Sequence, residues 1–373
     1  MINHYSKEYV QFNKKSGRNS FMNPYAKWLL TSLLTFLILF TSIFGYQLYT
    51  SYTVDPLWNF THNNEYNTIQ LGFDERQQKT NYITNRPMKN YDDLLIGTSR
   101  VTYMNQSSFK NSKVYNYGLS ALNIQDYNDY ISYAEDQKGE DFEQIYMELY
   151  INSFAPPTEE VSPYVQPEEA FENTNALFYK YKSLFSYDTY KRAIENKDYS
   201  LGKFHEGYRS YNRANEVSTN YVNPKINDLF KLSIPDPDTM EIPYNDQYKT
   251  ILEKIRDEHT DSKIIPFTDP MSAVRLKEFL AIPNQFEAYK RWFEEMIAVY
   301  GQIYSFHSVN EYTIDSTYWF DDLHFYPNLG DIFVAHLDGT MKNEEILTIV
   351  TSENLDTYLT DLKNEVRAFQ PGY

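Results

Sequence analysis

Three residues in two short stretches offer this chain its chemistry. Ser99 stands near the end of Tyr91-Asp92-Asp93-Leu94-Leu95-Ile96-Gly97-Thr98-Ser99-Arg100, and Asp321 and His324 stand three apart in Asp321-Asp322-Leu323-His324-Phe325-Tyr326-Pro327. A serine hydroxyl is a poor nucleophile at neutral pH and needs a base beside it to attack an acyl carbon. An Asp and a His three apart on a turn can face the same side. Asp321 could then bond Nδ1–H of His324 and fix its tautomer, which leaves Nε2 to take the serine proton. Taken singly, these residues also read as a turn serine, a helix-capping aspartate at Asp321 or Asp322, and a packing histidine. It is their combination that points to catalysis.

The elements that must position them follow from the apolar pattern. Leu94–Ile96 reads as a short buried strand broken by Gly97, whose freedom of torsion would let the chain turn and leave Ser99 beyond the strand's carboxyl end. In open α/β sheets the ligand crevice lies there. Val114–Gly118 and Gln144–Ile151 read as further strands, the latter ending at Asn152-Ser153, with helical spacing over Ile124–Ala134 between them. Pro-rich residues 155–168 read as a loop and 169–196 as an aromatic helical region. A polar connection follows to 238, so that 155–238 forms an insertion. Tyr244–His259 is helical, Lys263–Thr268 a strand, Ser272–Leu280 and Asn284–Tyr300 helical, and Gln302–Phe306 a strand. A helical run then continues to His336, and an amphipathic helix at 352–369 buries Leu355, Leu359, Leu362 and Val366. This alternation predicts an α/β fold of three layers, α/β/α, around a mostly parallel central sheet.

Composition bounds the function. The net charge of −17 over 373 residues disfavours nucleic acid and anionic surfaces as partners. The absence of cysteine excludes disulfides, thiol catalysis and cysteine-ligated metal. His205, His259 and His307 lack metal-ligand spacing, so no metal is expected. The 36 Tyr and 24 Phe suit both a ring-filled core and a groove that stacks on sugars. Residues 1–27 form a basic tail, with Lys7, Lys14, Lys15, Arg18 and Lys27 against Glu8. Residues 28–49 hold no charge and would make a helix of about 33 Å, enough to cross a ~30 Å bilayer core. A cleaved signal sequence is the rival, but no small-x-small site follows. The charge asymmetry leaves the N-terminus in the cytoplasm and the rest outside. Residues 50–90 read as an extracytoplasmic stem, in which His62, Asn63, Asn64 and Asn67 suggest a capped turn. The folded domain then spans 91–373.

Gly97-Thr98-Ser99, Asn116-Tyr117-Gly118 and Asp321-x-x-His324 resemble, in order and spacing, the first, second and last blocks of the SGNH (GDSL-type) hydrolases and acyltransferases, over residues 91 to 340. The resemblance implies Ser99 as nucleophile, His324 as base and Asp321 as its orienting acid. It also implies that Gly118 N–H joins Ser99 N–H in the oxyanion hole. The family's third block supplies an Asn; the usual Gly-x-Asn-Asp is missing here, and Asn152 is the candidate. A single membrane helix before an outward-facing domain is similar to the bacterial envelope O-acetyltransferases, in particular Gram-positive enzymes that acetylate peptidoglycan or a cell-wall polysaccharide. The implied activity is serine-dependent O-acetyl transfer without a cofactor, with a membrane-bound O-acyltransferase as acetyl donor and a cell-wall polysaccharide as acceptor. A glycan esterase or deacetylase, and a non-catalytic anchored glycan-binding protein, are the alternatives. Arg100 would bind an anionic group of the glycan or pair with Asp92 or Asp93, the ion pair being the expectation.

Overall fold

A computed structural model describes residues 23–157, 165–203, 207, 209–230 and 242–371. The basic tail up to residue 22, His205 and parts of the 155–238 insertion thus lie outside the described residues. The chain divides into two compact units, 1–47 and 48–373. The first is dominated by helix α1, Pro24–Val54, whose apolar stretch has a mean hydropathy of 2.0 and no buried residue in that window. It is long and apolar enough to cross a membrane, and longer than the 28–49 read from charge alone.

The second unit is α/β with a mixed sheet. Among the described residues its strands are β1 (Gln70–Leu71), β2 (Asp93–Gly97), β3 (Val114–Gly118), β4 (Gln144–Leu149), β5 (Ser210–Tyr211), β6 (Val217–Ser218), β7 (Lys263–Thr268), β8 (Gln302–Ser305) and β9 (Thr348–Thr351). The larger sheet runs β3-β2-β4-β7-β8-β9; its first five strands are parallel and β9 pairs with β8 antiparallel. Buried on both faces, β2 and β3 are mostly apolar or aromatic, as parallel strands need, with Asp93 at the start of β2 and Asn116 within β3 as buried polar exceptions. Much of the Tyr content is core: Tyr115, Tyr117, Tyr127, Tyr130, Tyr211, Tyr248 and Tyr289 are fully buried.

Residues 50–90 are not a separate stem. They belong to the second unit, and Leu57, Trp58 and Ile83 are core residues. Helix α2, Glu75–Asn85, has almost no apolar face, yet nine of its eleven residues are buried. Such burial is tolerated because most of the polar groups are paired, Gln78 Oε1 being the exception. Gln78 donates to the carbonyls of Pro56 and Leu71, Asn81 to that of Leu57, and Thr80 meets the Tyr117 hydroxyl. A second sheet, β1-β5-β6, joins this segment to the insertion, and Arg213 reaches across to the buried carboxylate of Asp55 at 2.8 Å. The side chains of His62, Asn64 and Asn67 converge on the carbonyl of Thr53 at the end of α1, the capped turn expected of that cluster.

Two glycines set the geometry of the reactive strand ends. Gly97 does not take a positive φ; its requirement is space, since a Cβ there would lie 2.4 Å from Val101 Cγ2 and 2.6 Å from Glu148 Cβ. Gly330, in helix Pro327–Leu337, lets that helix meet the backbone of the turn after Ser99: a Cβ would fall 2.1 Å from the Tyr103 carbonyl oxygen. Helix propensity favours Ala over Gly by about 1 kcal/mol. Overpacking against backbone costs about 1–3 kcal/mol or more, so the clash should win. Gly330→Ala is therefore expected to lower the unfolding midpoint in urea or heat; an unchanged or raised midpoint would show that the close approach is dispensable.

Candidate active site

Ser99 lies two residues past β2, at the sheet's carboxyl edge. His324 reaches it from a tight reversal in which Trp319 and Phe325 form a bridge, Phe320 N–H donates to the His324 carbonyl, and Tyr326 N–H donates to that of Tyr318. Ser99 Oγ lies 2.8 Å from His324 Nε2, and His324 Nδ1 lies 2.9 and 3.1 Å from the two oxygens of Asp321. The three residues read from sequence thus form one hydrogen-bonded chain. Burial alone would push the Asp321 carboxyl up. The His324 ring and the N–H groups of Leu323 and His324 outweigh this and hold it below the usual carboxylate range. Its ionised form orients Nδ1–H and leaves Nε2 facing the serine. The His324 ring is fixed by stacking on Phe320, 5.6 Å between centroids and 7° between planes, and by the edge of Tyr103 at 6.0 Å.

Behind Ser99 sits a buried charge cluster. Arg100 pairs with Glu148 on β4 at 3.1 Å and with Asp269, just past β7, at 3.0 Å. This corrects the expected pairing with Asp92 or Asp93: Asp93 instead accepts from Ser112 Oγ and Gln144 N–H, and Asp92 from Lys113 N–H. Glu148 Oε2 also accepts from Thr98 N–H, which fixes the residue before Ser99. Burial and the neighbouring Asp269 push Glu148 up; Asp269 is buried too, but Arg100, His307 and Ile151 N–H hold it down.

Both side-group assignments to the oxyanion hole need correction. The Gly118 N–H is already spent on Asn116 Oδ1 at 2.7 Å, a local bond within the same strand end. Asn152 is exposed and does not line the cleft, because the chain turns outward at Tyr150–Ser153. Ser99 and Ala121 both line the cleft, and their N–H groups meet no acceptor among the described residues. Ala121 holds a φ of 47°, a left-handed conformation that costs a non-glycine residue roughly 1–2 kcal/mol. Arg76 secures it by donating to the carbonyls of Ser120 and Ala121. No periodicity marks Ala121 in the sequence; the tripeptide Ser-Ala-Leu after a strand was its one trace.

The cleft has a volume of about 850 Å³ and is walled by Phe73, Tyr103, Tyr150, Tyr199 and Phe320 as well as Ser99, Asp321 and His324. The insertion contributes Arg209, which sequence reasoning missed. Its guanidinium pairs with Glu75 at 2.6 Å and donates to Thr102 Oγ1, to Ser120 Oγ and, at 3.5 Å, to the Ser99 carbonyl. His259 and His307 are core histidines held by Glu135 and Tyr289 respectively. No protein-family model matches the sequence, and no curated protein matches it.

Lys79 on α2 is fully buried beneath this cleft wall and donates to the carbonyls of Gly118 at 2.8 Å and Asn116 at 3.2 Å. Burial lowers its pKa to about 7 despite nearby Glu75. A neutral amine has two N–H donors, enough for both carbonyls. Between that value and the ordinary 10.5, the unfolded chain binds a proton that the folded one does not, so folding should gain stability as pH rises through this window. The gain should be missing in Lys79→Met. Unfolding midpoints of both proteins from pH 7 to 9.5 give the comparison, and parallel curves would refute a neutral buried amine.

Proposed function

We propose that this chain is an SGNH-like serine O-acyltransferase, with the three-layer arrangement of that family, anchored by α1 and acting outside the cytoplasm on a cell-wall polysaccharide. The observation that carries the reading is the hydrogen-bonded sequence Ser99, His324, Asp321 at the floor of a ring-walled cleft. In the first half-reaction His324 Nε2 takes the Ser99 proton as Oγ attacks an acetyl carbonyl, and the N–H groups of Ser99 and Ala121 receive the developing oxyanion. The leaving group departs with the proton from His324, and the acetyl group remains as an ester on Ser99. A sugar hydroxyl then enters, gives its proton to His324 and attacks the ester, which restores free Ser99.

Rings at the cleft wall suit this acceptor, since they present flat apolar faces to a sugar while its hydroxyls reach polar groups between them. The acetyl donor would be a membrane-bound O-acyltransferase, and no cofactor enters the reaction. Hydrolysis of the same ester is the competing outcome and differs only in whether water or sugar reaches the acyl-enzyme.

The full-length protein in detergent, briefly exposed to an activated acetyl ester, should gain one acetyl group by intact mass. The gain should vanish in Ser99→Ala, and Asp321→Asn should slow its formation by about 10³–10⁴-fold. Chase with oligosaccharides of cell-wall type should move the group to sugar rather than water. An adduct of equal yield in Ser99→Ala, or none in any protein, would end the proposal.

A further inference from the structure

Residues 173–187, Asn-Thr-Asn-Ala-Leu-Phe-Tyr-Lys-Tyr-Lys-Ser-Leu-Phe-Ser-Tyr, carry two lysines and no acid in a chain of net charge −17. Within them Leu177, Phe178, Tyr181, Phe185 and Tyr187 are 74, 61, 50, 59 and 72% exposed. Single exposed apolar residues are ordinary; five large ones within eleven positions are not. The backbone holds them outward. Phe178 takes a φ of 64° at the start of a one-turn helix, Tyr179–Lys182, while Ser183 and Leu184 face inward and Asn59 donates to Ser183 Oγ.

Position gives this face its partner. The last turns of α1 belong to the folded unit, and Tyr52 there packs on Phe60 at 4.8 Å between centroids, which in turn packs on Tyr181 at 6.1 Å. Only two ring contacts therefore separate the end of the apolar helix from the exposed face. These two steps, of 4.8 and 6.1 Å, are short beside a bilayer core of ~30 Å. Aromatic side chains favour that layer, and lysines beside them can meet lipid phosphates. The overall negative charge opposes approach to an anionic surface at long range. Exposed Glu172 and Asp188 flank the segment, and within it, over a Debye length of about 8 Å, Lys180 and Lys182 supply the positive charge.

We propose that the Leu177–Tyr187 face is a second membrane contact, with its rings in the headgroup layer of the bilayer that α1 enters and Lys180 and Lys182 on phospholipid phosphates. The inference rests on reading α1 as a membrane span. Its consequence for the site is direct: helix Tyr187–Ser200 begins in this face, and its Arg192 and Tyr199 line the catalytic cleft. Contact with the bilayer would hold the cleft at a fixed height above it.

The chain lacks cysteine, so single labels are clean. Full-length Leu177→Cys, Tyr187→Cys, Leu37→Cys and Glu353→Cys would carry an environment-sensitive fluorophore in vesicles of phosphatidylethanolamine and phosphatidylglycerol, each first shown to unfold at the wild-type temperature. Nitroxide lipids labelled in the headgroup should quench positions 177 and 187 several-fold more than 353, and acyl-chain nitroxides should quench position 37. Quenching at 37 with 177 and 187 no better quenched than 353 would overturn the second contact alone. Failure to quench at 37 would overturn the span on which it rests. Lys180→Glu with Lys182→Glu should weaken quenching at 187, and an unchanged signal would remove the lysines from the proposal.

Discussion

The site depends first on a buried cation between two carboxylates. Arg100 follows Ser99 directly and is clamped by Glu148 from β4 and Asp269 from the end of β7, both without exposed surface. Three adjacent parallel strands are thereby tied together where the sheet ends. As a source of stability the arrangement is poor, because removing charge from water cancels much of the attraction. Losing one partner would nevertheless cost about 3–5 kcal/mol, since it leaves a charge stranded. What the cluster supplies is position. Glu148 also holds Thr98 N–H, so the residues on both sides of Ser99 are fixed by the same carboxylate.

From that anchor the constraint spreads into parts of the chain that look peripheral in sequence. The Ser99 carbonyl accepts from Thr102, and Arg209 of the insertion bonds the same pair of residues. Arg209 is held in turn by Glu75 on α2, whose carboxylate also takes Ser120 N–H and Oγ and the Tyr211 hydroxyl. Burial would raise Glu75, but Arg209 and Lys79 keep it below its usual value. The segment before the sheet and the segment inserted within it thus meet on one carboxylate, under the loop that forms the cleft wall.

What was legible in the sequence was what is local. A glycine-broken apolar run ending in a serine, and an Asp and a His three apart, are patterns whose geometry is set within a few residues, and those three side chains meet. Helix α2 was illegible because periodicity detects apolar stripes, whereas here the buried face is polar and satisfied by carbonyls from distant segments. The partners of Arg100 were missed for a related reason. Glu148 lies inside an apolar strand, and only the order of strands in the sheet brings it and Asp269 beside Arg100. Strand β9 escaped notice because a four-residue antiparallel edge, with Val350 its one buried residue, has little pattern to read.

The misassigned Gly118 shows how a local bond can override a motif. Its N–H points to Asn116 Oδ1, and Asn116 also donates to the carbonyls of Val101 and Met104. That asparagine is a brace between β3 and the turn after Ser99, so the N–H it occupies is structural. Ser99 and Ala121, by contrast, line the cleft and have N–H groups that meet no acceptor among the described residues. Leaving Ala121 in a left-handed conformation is tolerable only if its surroundings over-determine it. Arg76 does so through two successive carbonyls, and Lys79 holds the strand end just before. The polarity of α2 is therefore explained by what it grips: a helix with an apolar face could fill the same volume, but it could not fix the carbonyls of Ser120 and Ala121 in the loop that leaves the Ala121 N–H unpaired among the described residues.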